Sequence, residues 1–340
     1  MGSSLRGLSL SPGVWRTLFA LAAGLALLPA NAKCGLSSTQ KSSAGSPIGY
    51  SFASKLAADL AKEVGDLLGG DYAAWSHATL GQIGSLHKRE QVTTVREFRV
   101  FSKGRDAGYL VVSGASRAPS VQEFAASGSP LLTEFIPASR MVLPASEPMT
   151  TAEAPALRSI PNVPWLALGD PYRSVMASLV TFWAGRRPVL QALQQVEVQP
   201  LEAATRPEQN AWLAKTIQEL GRAAAVEFVT PCLSPEGKDN RPKPSFTDYR
   251  IEIDQGRPVL LVLHKPTTEG TARAPAQPLV CVGTGYLVNR SGSFLRVQVP
   301  LPGPRPPGGG SGQAYREAFL NWEVFAPSLD LLLVKPERGR

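Results

Sequence analysis

The stretch GDPYRSVMASLVTFWAG (residues 169–185) governs how the fold of this 340-residue chain is interpreted. Gly169, Asp170 and Pro171 are turn residues, and the apolar run that follows them is typical of a buried helix. Ser174 stands where this helix is expected to begin. The pattern leaves three roles open for Ser174: a working nucleophile, the relic of one, or a helix cap.

The first 32 residues are predicted to be a signal peptide. Two arginines precede an apolar run that ends in Pro-Ala-Asn-Ala, so cleavage is expected after Ala32. The run is shorter than the roughly 20 residues that a membrane-spanning helix needs. Lys33 stands where a lipoprotein signal has a small residue, which argues against a lipid anchor at Cys34. We therefore expect an exported protein (secreted, periplasmic or attached to the cell envelope) with no transmembrane span.

The composition fits a globular protein, with 43% hydrophobic and 18% charged residues. The formal charge of +8 falls to +6 once the two arginines of the signal peptide are removed. The basic clusters are short and scattered, so we do not expect nucleic-acid binding. No Cys/His spacing indicates a metal site, and the Gly-rich stretch at 306–312 lacks the helix that a phosphate-binding loop requires. No metal or cofactor is expected.

The chain has three cysteines, Cys34, Cys232 and Cys281. An odd number leaves at least one thiol outside any intramolecular disulfide. Cys232 with Cys281 is the candidate pair, although spacing alone does not establish that the two lie close together.

The rest of the chain divides into two predicted parts. Residues 33–49 are polar and are expected to be flexible. Residues 50–136 begin with helical spacing and continue with strand-forming residues around a hairpin turn, which predicts a small α+β unit. Residues 137–160 are rich in Pro, Ala and Ser and are predicted to be a linker. Residues 161–340 carry helical patterns first and strands later, so an α+β fold with an antiparallel sheet is expected.

Four segments of the second part follow one another in an order that is found in a known family. They are VPWLALGDPYRSVMASLVTFWAG (163–185), IEIDQGRPVLLVLH (251–264), QPLVCVGTGY (277–286) and FLRVQVP (294–300). Together they resemble the papain-like cysteine peptidases, and in particular the bacterial C39-like group. The resemblance implies a papain-like fold in which the helix after Pro171 carries the nucleophile.

The first part has its own resemblance. The segment FRVFSKGRDAGYLVVSGASRAPSVQEF (98–124) resembles the pro-region of streptopain-like peptidases. A pro-region followed by a papain-like domain is a coherent pair, so the resemblance implies that residues 50–136 are a pro-domain-like unit.

The resemblance also implies four catalytic positions, and each holds an unsuitable residue here. The family uses a Cys nucleophile, a His base, an Asp or Asn that orients the His, and a Gln six residues before the Cys. These positions hold Ser174, Gln277, Val299 and Leu168. Gln277 cannot accept a proton, Val299 cannot orient an imidazole, and the Leu168 side chain cannot donate a hydrogen bond to an oxyanion. The resemblance therefore implies a pseudo-peptidase without catalytic residues.

Other residues are candidates for restoring activity. His264 ends the apolar run PVLLVLH and is the one histidine of the second part. It could serve as a base for Ser174, although a histidine at a strand end is more often structural. Cys281 and Cys232 are candidate displaced nucleophiles. The G-x-S-x-G signature of serine hydrolases is absent around Ser174, which is most simply an N-cap or first-turn residue.

Three hypotheses follow for the function. The first is a secreted, inactive homologue of a C39-like peptidase that binds a peptide or protein in the degenerate cleft. The second is an active hydrolase or acyltransferase that uses Ser174 with His264, or a displaced cysteine. The third is a structural, envelope-associated protein whose cleft is filled by large side chains such as Leu168, Tyr172 and Trp183.

Overall fold

The structure is a computed structural model. Predictions for residues 1–49, which include the signal peptide, the polar segment and Cys34, lie outside the described residues. The described residues belong to one compact unit. They are residues 50–89, 92–113, 120–136, 155–197, 205–235, 243–265, 277–301 and 315–337.

Helices and strands are mixed along the chain, which confirms the α+β class. Among the described helices, none is both long enough and apolar enough to cross a membrane. The α-helices are α1 (Tyr50–Leu68), α2 (Leu132–Phe135), α3 (Pro171–Ala184), α4 (Arg186–Gln195), α5 (Arg206–Ala223), α6 (Phe246–Asp254) and α7 (Trp322–Phe325). The strands are β1 (Thr79–Arg89), β2 (Val92–Ser102), β3 (Arg105–Ser113), β4 (Val121–Ala125), β5 (Ala156–Ser159), β6 (Phe228–Val229), β7 (Cys232–Leu233), β8 (Val259–Leu263), β9 (Leu279–Asn289), β10 (Gly292–Pro300), β11 (Tyr315–Asn321), β12 (Leu329–Leu333) and β13 (Lys335–Pro336). Two 3₁₀ helices cover Gly70–His77 and Ala326–Ser328.

Eleven strands of the described ranges form one antiparallel sheet. Its order is β1-β2-β3-β4-β11-β10-β9-β8-β12-β7, and β5 pairs with β9 beyond the stretch that pairs with β8. β6 and β13 form a separate two-stranded sheet. The predicted hairpin is confirmed: β2 and β3 are joined by Lys103 and Gly104, which both have positive φ angles, as a tight two-residue turn requires.

The two predicted parts of the chain contribute strands to the same sheet. β4 comes from the first part and β11 from the second, and they pair with Ala125 opposite Ala318 and Phe124 opposite Phe319. The end of the predicted linker, residues 156–159, forms β5 and pairs with β9. The division into two parts remains a prediction, and the structure adds that both parts build one sheet.

Aromatic side chains from both parts pack together over the β4–β11 pair. Phe124 stacks on Phe319 with ring centroids 4.6 Å apart. Tyr72 lies edge-on to Phe319, with centroids 5.8 Å apart, and Phe294 lies edge-on to Phe124 at 5.4 Å. Such pairs add about 0.5–1.5 kcal/mol each beyond the burial of their area. This packing couples the 3₁₀ helix before β1 to β10 and β11.

A buried carboxylate also links the two parts. Glu123 on β4 is fully buried and accepts hydrogen bonds from the Tyr109 hydroxyl and from the backbone N–H groups of Leu131 and Leu132. Arg316 on β11 donates to the same Tyr109 hydroxyl at 3.1 Å. Burial raises the pKa of Glu123, and the hydrogen bonds from Tyr109 and Leu131 oppose this shift. The network joins β3, β4, β11 and the segment before α2.

Replacing the buried carboxylate should weaken the fold far more than replacing an exposed one nearby. Glu123→Leu leaves two backbone N–H groups and the Tyr109 hydroxyl without their acceptor, so we expect a loss of about 3–5 kcal/mol in the free energy of unfolding. Glu134→Leu is the matched control, because its side chain is 57% exposed and its ion pair with Lys265 is long, at 3.5 Å. That control should cost at most about 1 kcal/mol. Urea unfolding of both variants measures the difference, and equal losses would contradict this account.

Candidate functional site

The turn into α3 is built as the sequence predicts, but with a different cap. Gly169 has φ +83°, which favours glycine, and Pro171 opens the helix with its ring in place of an unneeded N–H. The Asp170 carboxylate accepts a hydrogen bond of 2.6 Å from the backbone N–H of Arg173. Of the two positions expected for Ser174, N-cap or first turn, the structure gives the second. Asp170 is the cap, and Ser174 lies at the end of the first turn.

Two serines one helical turn apart hold the segment that precedes α3. The Ser174 hydroxyl donates to the Asp170 carbonyl at 2.7 Å and accepts from the Leu168 backbone N–H at 3.0 Å. The Ser178 hydroxyl accepts from the Leu166 backbone N–H at 2.7 Å. Both serines are buried, with 5% and 0% of their surface exposed. Ser174 therefore binds backbone groups on both sides.

The start of α3 lies against the start of β9, where the resemblance puts the catalytic histidine. The Tyr172 hydroxyl donates to the Pro278 carbonyl at 2.7 Å. Gln277 precedes Pro278 directly and is exposed. We call the set formed by Leu168, Tyr172, Ser174, Gln277 and Pro278 the α3–β9 junction. Leu168 and Ser174 are thus bonded to each other, and Gln277 is the chain neighbour of the residue that Tyr172 contacts.

Val299, the fourth position, is not brought beside Gln277. In the β9–β10 pair Gln298 lies opposite Val282, so Val299 comes level with Cys281. Cys281 is four residues further along β9 than Gln277, which is about 13 Å of extended chain. Val299 is buried in the core. It lies too far along the hairpin to orient a side chain at position 277.

His264 has a carboxylate partner that the sequence analysis missed. Its Nε2 lies 2.9 Å from an Asp330 carboxylate oxygen. Arg206 donates to both carboxylate oxygens, through Nε at 2.8 Å and through Nη2, and Asn210 donates at 2.6 Å. Arg206 and Asn210 lie in the first turns of α5. The only sequence signal was one acidic residue at an inward position of the apolar strand LDLLL.

The charge of Asp330 is stabilised inside the protein. Its side chain is fully buried, and burial alone would raise its pKa. Hydrogen bonds from His264 and Arg206 outweigh this effect and hold the pKa of Asp330 well below its usual range. Among the described residues, no hydrogen bond joins the side chains of His264 and Ser174, so the structure gives no support to His264 as a base for Ser174.

The two described cysteines, Cys232 and Cys281, lie far apart in the main sheet. Neither Cys232 nor Cys281 belongs to a disulfide. They lie on β7 and β9 with β12 and β8 between them, which separates the strands by about 14 Å, whereas a disulfide needs Cα atoms within about 7 Å. The candidate pair is therefore wrong. Burial raises the pKa of the Cys281 thiol to about 12, so it is protonated at neutral pH.

The remaining candidate groups lie apart from the α3–β9 junction in the chain. His77 is exposed at the end of a 3₁₀ helix, and the side chain of His87 on β1 lies outside the described residues. Within the described ranges, no three His, Cys, Asp or Glu side chains are grouped as metal ligands would be.

The hydroxyl of Ser174 should contribute to stability. Ser174→Ala leaves the Leu168 N–H without its acceptor, and Ser178→Ala does the same to the Leu166 N–H. We expect losses of about 1–3 kcal/mol for each variant, measured by urea unfolding. Ser245→Ala removes the cap of α6 at an exposed position and supplies a reference of about 1 kcal/mol. A Ser174→Ala variant as stable as the wild type would show that these hydrogen bonds carry no weight.

The Asp330 network should make stability depend on pH. The folded-state pKa of Asp330 is depressed, so its contribution is present above the unfolded-state pKa of about 3.9 and is lost as the pH falls through the folded-state value. At pH 7, Asp330→Asn should cost about 3–5 kcal/mol because Arg206 loses a buried partner. The difference between wild type and variant should shrink as the pH is lowered from about 5 to 2.

The control for this prediction is Asp59→Asn. Asp59 is exposed on α1, so its replacement should change stability little at any pH. Urea unfolding at several pH values measures both variants. An Asp330→Asn deficit that stays constant from pH 7 to pH 2 would overturn the assignment.

Comparison with known proteins adds no relative. No family model matches the chain. No curated protein matches it either. The link to papain-like peptidases therefore rests on the residues of this chain alone.

Proposed function

We propose that the protein is a secreted homologue of a papain-like, C39-like peptidase that is inactive as a peptidase and binds a peptide or protein instead of cleaving it. One observation carries this proposal. Ser174, at the nucleophile position, is 95% buried. Its hydroxyl donates its hydrogen to the Asp170 carbonyl and accepts a hydrogen bond from the Leu168 backbone N–H. A nucleophile needs a base as the acceptor of its hydrogen, and here a carbonyl takes that place.

The placement of α3 supports the relationship to the family. A buried helix packs on the central strands of an antiparallel sheet, and its first turn contacts the start of β9 through Tyr172 and Pro278. In a peptidase of this kind, the nucleophile and the base would meet at that point. In this protein α3 and β9 still come together at the junction, but the nucleophile and the base of such a peptidase are missing there.

The exposed face of the junction is the proposed binding surface. The hydrogen bond from Tyr172 to Pro278 closes the space between α3 and β9. A ligand would therefore lie on the solvent side of this bond, against Gln277. Gln277 is exposed, so its side chain lies on this face of the junction. Export, supported by the N-terminal sequence, would place this surface outside the cytoplasm.

A structural role with a filled cleft is the second candidate, and the same Tyr172 bond favours it. Leu168 and Tyr172 are half-buried and pack against the core at the junction. Trp183 does not share in this filling, because it lies eleven residues along α3 from Tyr172, which is about 16 Å. The two candidates differ in whether the face at Gln277 binds a ligand.

Selection from a displayed library of random peptides tests the binding function. Peptides selected on the wild-type protein should lose at least about tenfold in affinity for Gln277→Trp, because the indole covers the proposed surface. Gln255→Trp is the matched control, since Gln255 is also an exposed glutamine and lies beyond α6. Fluorescence anisotropy measures the affinities. A labelled casein substrate should remain uncleaved throughout.

Three outcomes separate the candidates. Loss of binding in Gln277→Trp alone supports the binding function. Failure to select any peptide, or equal binding by both variants, favours the filled cleft or another surface. Cleavage of casein that disappears in Ser174→Ala would overturn the proposal.

A further inference from the structure

His264 has the surroundings of an oriented base. Its Nε2 lies 2.9 Å from Asp330, a carboxylate with no exposed side-chain surface. Arg206 and Asn210 hold that carboxylate from the other side. Because the carboxylate is ionised, it can only accept, so Nε2 must carry the hydrogen of their shared bond. The imidazole is thereby fixed in both orientation and tautomer.

The second ring nitrogen of His264 is left with a lone pair. In the tautomer that protonates Nε2, a neutral imidazole has no hydrogen on Nδ1. Nδ1 makes no hydrogen bond to any described residue. The side chain is 11% exposed, so solvent reaches a small part of it. A carboxylate on one nitrogen and an unoccupied lone pair on the other is the arrangement of a general base.

The position of His264 relates this pair to the α3–β9 junction. Leu263 lies opposite Leu279 in the antiparallel β8–β9 pair. His264, which follows Leu263, therefore comes level with Pro278, which precedes Leu279. Neighbouring strands are about 4.8 Å apart. His264 therefore lies one strand away from the place that the resemblance gives to the catalytic histidine. Asp330 occupies the strand beyond it, β12, in contrast to position 299 on β10.

We propose that His264 and Asp330 form a base–carboxylate pair, displaced by one strand, that hydrolyses carboxylic esters with water as the nucleophile. His264 Nδ1 takes a proton from water as the water oxygen bonds to the ester carbonyl carbon. The carbon–oxygen bond to the alcohol then breaks, and the imidazolium returns the proton to the departing oxygen. One water and one ester give one carboxylic acid and one alcohol.

Water is the nucleophile because no side chain in the junction offers a proton to His264. The Ser174 hydrogen goes to the Asp170 carbonyl, and the Tyr172 hydrogen goes to the Pro278 carbonyl. Asp330, Arg206 and Asn210 are positioning residues, since they act on substrate only through His264. The proposal goes beyond the loss of peptidase function at Ser174 and does not depend on it.

The presence of three histidines in the whole chain makes a sharp experiment feasible. His77→Gln/His87→Gln keeps only His264, and His87→Gln/His264→Gln keeps only His77, which is exposed. The probe is p-nitrophenyl acetate, and the variant without histidine gives the background. After subtraction, the protein with His264 should hydrolyse the ester at least about tenfold faster than the protein with His77, since an oriented base contributes about 10²–10⁴-fold at best.

A burst measurement and one further variant complete the rate comparison. If water is the nucleophile, no acyl-enzyme accumulates, so the His264-only protein should release p-nitrophenol without an initial burst. Lys265→Gln, one residue beyond the base, controls for general disturbance of the strand end. Equal rates from the His264-only and His77-only proteins would overturn the proposal, and so would a burst of p-nitrophenol.

A measurement that needs no change at residue 264 or Asp330 tests the geometry. Long-range ¹H–¹⁵N spectra of the His264-only protein at pH 8 should show a protonated Nε2 and an unprotonated Nδ1. A proton on Nδ1 would overturn the proposal whatever the rates. Failure of these experiments leaves the peptide-binding proposal intact, because that proposal is tested at Gln277.

Discussion

The pairing of β4 with β11 is the interaction on which the rest of the structure depends. β4 is five residues long and is bonded on both edges, to β3 and to β11, so its backbone groups are satisfied only when both parts of the chain are present. Phe124 and Glu123 then face opposite sides of the sheet. One side is sealed by the stacked aromatic rings and the other by the Tyr109–Glu123–Arg316 network. The described residues between 50 and 136 are therefore an integral part of the fold, because they share its main sheet.

This constraint bears on the pro-region resemblance. A removable pro-region covers a domain that is complete without it, whereas removal of β4 would expose the edge of β11. An exposed edge presents unpaired N–H and C=O groups, which favours aggregation. The shared sheet therefore predicts that the first part cannot be removed without exposing this edge.

Local sequence predicted the elements that are defined by short-range patterns. The helix expected after Pro171 is α3, the helical spacing at the start of residues 50–136 corresponds to α1, and the hairpin turn joins β2 to β3. Apolar spacing and turn residues specify these elements locally. Helices α4 and α6 were not predicted. Only Gly185 separates α4 from α3, so the sequence does not show two separate helices there. α6 is only nine residues long, and its apolar and charged residues do not form a clear apolar stripe.

The candidate site was harder to predict, because its contacts are long-range. Ser174 and Leu168 are only six residues apart, so their hydrogen bond is a local contact. Arg206 and Asp330 are separated by 124 residues, and only the folding of α5 over β12 makes them partners. Val299 was misplaced because an ordered set of motifs gives no register, and the β9–β10 hairpin has a bulge between Arg296 and Val297.

The two buried carboxylates show how similar burial leads to different chemistry. Glu123 accepts hydrogen bonds from three neutral donors, namely the Tyr109 hydroxyl and two backbone N–H groups. Burial prevails over these bonds and over the charge of Arg316, and it raises the pKa of Glu123. Asp330 receives hydrogen bonds from His264 and two from Arg206, and its pKa falls. A protonated acid can donate a hydrogen bond, but an ionised one only accepts. These bonds thus keep Asp330 an acceptor, so the Nε2 of His264 that faces it carries the hydrogen of their shared bond.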